Sequence, residues 1–393
     1  MTASAVSVIN ARAAAPMGVH YSGAHPIMQA CQLAFYAFRA ELMTEVLKSP
    51  NVRVAVAPAP LVTVDEAACR KLATLISTYE VPIDREDNAL PSASRLDIGN
   101  FYFWLVAICH QTSPKGGVRL AGTVNGRNLQ GWDYLSARFE AAIAVQPRLL
   151  TPETWTHMTG DDLRQLFRDQ TLGDRLTDPD GRAGLIRDLG SVMIGNGWKH
   201  FEDLYRLAGR RILEGDPNLL QLLSRFRAYN DPVHKKAYFL LALMRNGGLW
   251  TYADDWNLGA PVDYHEIRGH LRIGTVTIND RTLKEKVQNE TPVTAEEDVA
   301  IRTAVHDAIM LVSELTEIRN PSRLHYLFWN VFRSCCTRNS PHCRRCPVTC
   351  TLPPRYVPLA LASGVRRCPF AAACKSAGNA TMLTEHVFTT DWY

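Results

Sequence analysis

From Arg319 to Thr384 the chain contains no aspartate and no glutamate. The same stretch has nine arginines, at 319, 323, 333, 338, 344, 345, 355, 366 and 367, and one lysine, Lys375. It carries about +10 while the whole 393-residue chain carries +4, which leaves about −6 for the remainder. Positive charges crowded without acidic neighbours are costly unless phosphates neutralise them, so the segment predicts a nucleic-acid-facing element. Long apolar runs are also missing, which predicts a protein that does not enter a membrane. Met1 to Pro16 is rich in Ala, Ser and Val with one Arg, and lacks the apolar core of a secretory signal. A weakly ordered start to a cytoplasmic, monomeric protein is expected. There is no internal repeat and no low-complexity tract.

What is present fits a folded chain. Hydrophobic residues make up 46% and charged residues 21%, enough core-forming material to exclude wholesale disorder. The length suits two or three domains. Apolar spacing predicts helices over 25–50, from Glu66 to about Tyr79, over Asn100–Gln111 and over Trp132–Val145. Further helices are predicted within Pro152–Asp169, then over Arg182–Trp198, Phe201–Leu213, Leu219–Arg227, His234–Met244, His265–Leu271 and Ala295–Thr316. Val52–Val56, Val118–Leu120 and Thr275–Ile278 read as short β-type patches, and Pro82–Ser94 as a loop. The expected fold class is mainly α. The expected partition is an N-terminal, mostly helical region at 1–95, a helical domain at 96–318 and a basic cysteine-rich segment at 319–393.

Of ten cysteines, Cys31, Cys69 and Cys109 stand alone in apolar surroundings and read as small buried hydrophobes. The other seven lie between 335 and 374. Cys336-x6-Cys343-x2-Cys346-x3-Cys350 is followed by Cys368-Pro369 and, after x5, Cys374; Arg-Arg-Cys-Pro occurs at 344–347 and again at 366–369. Thiols this dense predict a metal or iron–sulfur site.

Leu219 to Gly274 resembles the helix–hairpin–helix base-excision DNA glycosylases. A turn at Ala228–His234 leads to Lys235-Lys236 and an apolar helix, and Val262-Asp263 precedes a second helix. The cysteine run resembles the [4Fe–4S] motif of the endonuclease III and mismatch adenine glycosylase branches. That family's final spacing is x5, which here belongs to Cys368–Cys374 and not to Cys346–Cys350. The resemblance implies a two-lobed helical fold and a 4Fe-4S cluster, with zinc as the competitor. By proximity it implies Cys336, Cys343, Cys346 and Cys350 as ligands, with Cys368 and Cys374 as alternates. A second resemblance covers roughly 95–316. Asn100-Phe-Tyr-Phe-Trp104, Gly131–Leu135, His234–Ala237, Asp263-Tyr264-His265 and Glu297–Arg302 are similar to the queuosine salvage glycosidases. Those enzymes cleave an N-glycosidic bond in a nucleotide.

Both resemblances imply the same chemistry. Breaking a base–sugar bond builds positive charge on the sugar, which a carboxylate stabilises while orienting or deprotonating water. Asp263 is the candidate, against its reading as a plain helix cap. Lys236 stands where bifunctional glycosylases place an amine nucleophile; the alternative is that Lys235 and Lys236 touch phosphate or begin a helix. Phe101, Trp104, His110, Gln111, Trp132, Asp133 and Tyr264 are candidate contacts to the base, against a core role for the aromatics. Lys235, Arg344, Arg345, Arg366 and Arg367 are candidate DNA contacts. The expected partner is DNA, and the expected substrate an unusual base, such as a bulky hypermodified base of viral DNA. A queuosine-type nucleotide enzyme and a non-catalytic nucleic-acid binder remain as alternatives.

Overall fold

A computed structural model describes residues 60–83, 93–115, 117–346, 350–362, 364–379 and 382–393. The helix expected at 25–50, the strand at Val52–Val56, Cys31 and most of the Pro82–Ser94 loop lie outside the described residues. The rest is mainly helical, as the apolar spacing predicts. β1 (Val62–Val64) leads to α1 (Glu66–Ile76), which starts where Asp65 accepts a hydrogen bond from Ala68 N at 2.9 Å. Such caps are worth about 1 kcal/mol each. α2 (Arg95–Ala107) is capped by Ser94, and every residue from Ile98 to its end is buried, because a helix apolar all round has to sit inside a core. β2 (Ala121–Val124) and β3 (Arg127–Gln130) form a hairpin around Asn125-Gly126, whose positive φ values of 50° and 73° suit a type I′ turn.

α3 (Trp132–Val145), α4 (Pro152–Trp155), α5 (Gly160–Phe167), α6 (Pro179–Gly195), α7 (Phe201–Leu207) and α8 (Leu219–Leu223) follow. The single helix expected within Pro152–Asp169 is thus two, because Thr159 and Asp162 form a capping box that begins α5 afresh. α9 (Lys235–Asn246) and α10 (Tyr264–Ile273) flank the irregular stretch expected between them. β4 (Val276–Ile278) pairs antiparallel with β1, Thr63 opposite Thr277. The Val118–Leu120 patch is not a strand. α11 (Arg281–Gln288), α12 (Ala295–Leu315), α13 (Pro321–Ser334) and α14 (Val357–Leu361) complete the order.

Buried apolar side chains form two clusters. One runs from Ile98 to Leu258 and takes in Tyr326. The other joins Val62–Val81 to residues from Ala260 to Tyr393. The chain passes from one to the other between Leu258 and Ala260, just before α10. The basic segment packs into the second cluster, because α13 turns Leu324, Leu327, Phe328, Val331 and Phe332 into it. Among the described residues no helix is long and apolar enough to cross a membrane.

Candidate active site

Pro261 and Val262 bring the chain to Asp263, the N-cap of α10. Its Oδ1 accepts from His265 N at 2.6 Å, and its own N–H donates to Glu266 Oε2 at 3.2 Å. Trp329 on α13 donates its Nε1–H to Asp263 Oδ2 at 3.2 Å. The bonds at Oδ1 and Oδ2 fix the carboxylate, and its open side lines a cleft of about 630 Å³ built by residues of both apolar clusters. The protein packed around it pushes its pKa up to about 7; the Glu266 charge adds to the rise, while His265 and Lys235 oppose it. Asp263 is therefore both a cap and a cleft residue.

Behind it stands Glu266, fully buried and raised by that burial to about 7, against hydrogen bonds from Asp263 that pull the other way. His325 Nδ1 lies 2.8 Å from Glu266 Oε1, off the line of an ideal hydrogen bond. His265, beside Asp263, is lowered by burial to about 3 and is a neutral imidazole, with its Nδ1 2.8 Å from Arg268 Nη2.

The two adjacent lysines point to different places. Lys235 lines the cleft, with Nζ 3.7 Å from Cys109 Sγ and 5.1 Å from the centre of the Phe239 ring. Lys236 does not reach the cleft. It is fully buried, its Nζ donates to Ala107 O and lies 3.2 Å from His110 Nδ1, and burial lowers its pKa to about 7. The start of α9 is held by Asp231, which accepts from Lys235 N at 2.8 Å and pairs with Arg302 at 2.9 Å. Arg302 also binds Asp298 at 3.0 Å, and Asp298 accepts from Tyr393 OH at 2.6 Å and meets His386 at 2.8 Å. Removing one partner from a buried charge network of this kind costs about 3–5 kcal/mol.

Of the expected base contacts, Trp132, Asp133 and Tyr264 line the cleft, with the Trp132 ring edge-on to Phe239 at 4.9 Å. Phe101 and Trp104 do not: both stack on Phe139, at 5.4 and 4.0 Å, inside the first apolar cluster. His110 is buried against Lys236. Gln111, at a φ of 46°, spends its backbone N–H and its Nε2 on Tyr393 O, each at 3.2 Å. Glu266, His325, Trp329 and Arg333 are cleft or supporting residues that sequence reading does not single out. The signals available were the capping-box spacing from Asp263 to Glu266 and the four-residue steps His325–Trp329–Arg333.

The cleft is electropositive. Its lining holds Arg119, Lys235, Arg268, Arg333, Arg338 and Arg355 against two carboxylates, Asp133 and Asp263. Arg268 and Arg338 are both paired with the buried Glu385, the former at 2.8 Å. Arg338 and His342 also line a neighbouring groove of about 1120 Å³ that holds Arg344 and Arg345, so the basic surface runs on from the cleft. Arg366 is exposed and Arg367 half-buried, and neither lines the cleft or the groove.

The cysteines separate into groups. Cys336, Cys343, Cys368 and Cys374 line one small cavity together with Cys335. Arg272 donates to Cys336 Sγ at 3.4 Å, and Cys374 Sγ lies 3.3 Å from Arg272 O. Cys346 and Cys350 lie outside that cavity and contact each other. The structure thus gathers the two alternates, Cys368 and Cys374, with the first pair, and sets the nearer Cys346 and Cys350 apart. Among the described residues no group of three or more His, Cys, Asp or Glu stands close enough to hold a single metal ion.

No protein-family model and no curated protein sequence matches this chain.

Proposed function

We propose that this chain is an N-glycosidase, and specifically a DNA glycosylase that hydrolyses the bond between a modified base and its deoxyribose to leave an abasic site. The observation that carries the reading is the Asp263 carboxylate, fixed by hydrogen bonds from His265 N and Trp329 Nε1 at a cleft whose other charges are mostly positive. Cations suit the phosphates of the substrate, and a fixed carboxylate in their midst suits the positive charge that develops at C1′. As the C1′–N bond breaks, its electron pair leaves with the base. Asp263 stabilises the sugar cation and takes a proton from the water that adds to C1′; the departing base is protonated in turn. Trp132 and Tyr264 offer flat walls for a base drawn out of the stack. Lys235, and not Lys236, is the amine placed to meet C1′.

Continuity of the cleft with the Arg344–Arg345 groove supports a polymer as substrate, since a free nucleotide needs only one or two phosphate contacts. The donor set at the cysteine cavity fits an iron–sulfur cluster: five thiols line it, and the Arg272 guanidinium donates to the Cys336 sulfur. Cys336, Cys343, Cys368 and Cys374 would hold a 4Fe-4S cluster there, which would tie the basic segment to α10 and α13. The test is product analysis by mass spectrometry after incubation with DNAs carrying different modified bases and with the matching free nucleotides. Release of a base from DNA is expected. Release from the nucleotide but never from DNA would select the queuosine-type enzyme, and binding without release the non-catalytic reading.

A further inference from the structure

Trp329 and Arg333 lie one helical turn apart on α13, so their side chains share a face. The Arg333 guanidinium lies over the Trp329 ring, its carbon 4.1 Å from the ring centre. The same indole holds Asp263 Oδ2 at 3.2 Å. Stacking places the guanidinium beside the carboxylate without pairing the two. Other cleft arginines have partners: Arg268 and Arg338 share Glu385, and Arg119 donates to Gln130 Oε1 at 2.7 Å. Arg333 differs, because among the described residues it has neither a hydrogen bond nor an ion pair. Asp133, Tyr264 and Asp263 act on it from longer range, with Arg119 opposing them. A guanidinium only partly exposed to water and without a close counter-ion is costly to hold. Its planar fork of donors matches two oxygens of one phosphate, a match that a lysine does not offer.

We propose that Arg333, pinned on Trp329 beside Asp263, is the phosphate clamp of the cleft, binding the phosphate ester attached to the sugar whose base is removed. The proposal rests on the N-glycosidase reading for the identity of that sugar, but not for the phosphate site itself. Clamping the phosphate sets the sugar against Asp263, so one stacked pair orients both the carboxylate and the group it acts on. The phosphate is a diester if the substrate is DNA and a monoester if it is a free nucleotide.

The test is calorimetric titration of the full chain with dimethyl phosphate, the diester probe, and with methyl phosphate, the monoester probe. Wild type is expected to bind at least one of them, and the preferred probe identifies the source. Arg333→Gln should weaken that binding tenfold or more. Arg333→Lys, which keeps the charge without the fork, should restore only part of it. Arg281→Gln, at an exposed arginine on α11, should leave it unchanged. Circular dichroism of each variant separates loss of binding from loss of fold. Failure of wild type to bind either probe, or equal binding by a folded Arg333→Gln protein, would overturn the clamp. Phosphate binding by a wild-type protein that releases no base from DNA or nucleotide would leave the clamp standing while removing the glycosidase reading.

Discussion

His325 Nδ1 stands 2.8 Å from Glu266 Oε1, across the packing of α13 on α10 and immediately behind Asp263. At that separation the imidazole and the carboxylate are in direct contact, although the two atoms are off the line of an ideal hydrogen bond. Glu266 also accepts from Asp263 N, and its charge is one cause of the raised Asp263 carboxyl. The pair therefore bears on the ionisation of the residue proposed to do the chemistry.

Glu266→Gln keeps an acceptor for Asp263 N and removes the charge. The Asp263 carboxyl should then ionise more readily. In the proposed mechanism Asp263 acts as an anion, so the rate should rise with pH through about 7 in the wild type. In Glu266→Gln the midpoint of that rise should move to lower pH. It should not reach the ordinary value of 3.8, because burial, the larger cause, remains. The pH dependence of kcat/KM checks this, and an unmoved or raised midpoint would count against it.

Stability should respond to the same group. A carboxyl held above its unfolded-state pKa binds its proton more tightly when folded, so its contribution is greatest below pH 3.8 and falls as pH rises to about 7. Asp263→Asn keeps the capping acceptor and removes that loss. The variant should be more stable than wild type at pH 8 by about 1–2 kcal/mol, a figure discounted for the open side of the carboxylate, and nearly equal at pH 4. Urea unfolding at the two pH values measures this; a variant less stable than wild type at pH 8 would contradict it.

The cysteine cavity makes a sharp distinction. Protein purified without air should be brown and carry about four irons per chain. Cys374→Ser and Cys368→Ser should lose colour and iron. Cys350→Ser should keep both, because Cys350 lies outside the cavity. Iron retained by Cys374→Ser but lost by Cys350→Ser would restore the ligand set that proximity in sequence suggests. One zinc in a colourless protein would replace the cluster with a structural metal.

Any covalent adduct should run through Lys235. Borohydride trapping on DNA should vanish in Lys235→Ala and persist in Lys236→Met, which keeps the buried stem in place of an amine that never meets the cleft. The opposite pattern would require Lys236 to leave its contacts with Ala107 and His110.

Where one segment carries a strong local signal, the structure follows the sequence closely. Trp132–Val145 has the same bounds in both, and Asp263 as an N-cap is legible from Pro-Val-Asp before a helical pattern. Phe101 and Trp104 show the limit of such reading. A helix apolar on every face has no marked side, so spacing alone cannot say which aromatics meet a ligand and which meet Phe139. Lys235 and Lys236 are neighbours in sequence but about 100° apart around a helix, and only packing decides which faces the cleft. Helix α13 is hidden by the arginines around it, although its apolar residues recur at helical spacing. Nearness in sequence does not say which cysteines share a cavity, because the chain returns Cys368 and Cys374 to the first pair after a long detour. The apolar clusters likewise run across the boundaries drawn at 95 and 318, since the chain from Val62 to Val81 packs with residues beyond Ala260.

The central claim is that Asp263 stabilises charge at C1′, and the most direct test is the single-turnover rate of base release by Asp263→Asn on the DNA that wild type cleaves. Asparagine keeps the cap, so folding and DNA binding should survive. Release should fall by about two to four orders of magnitude, roughly 3–5 kcal/mol of barrier. A folded, DNA-binding Asp263→Asn protein that releases its base at near the wild-type rate would contradict the account.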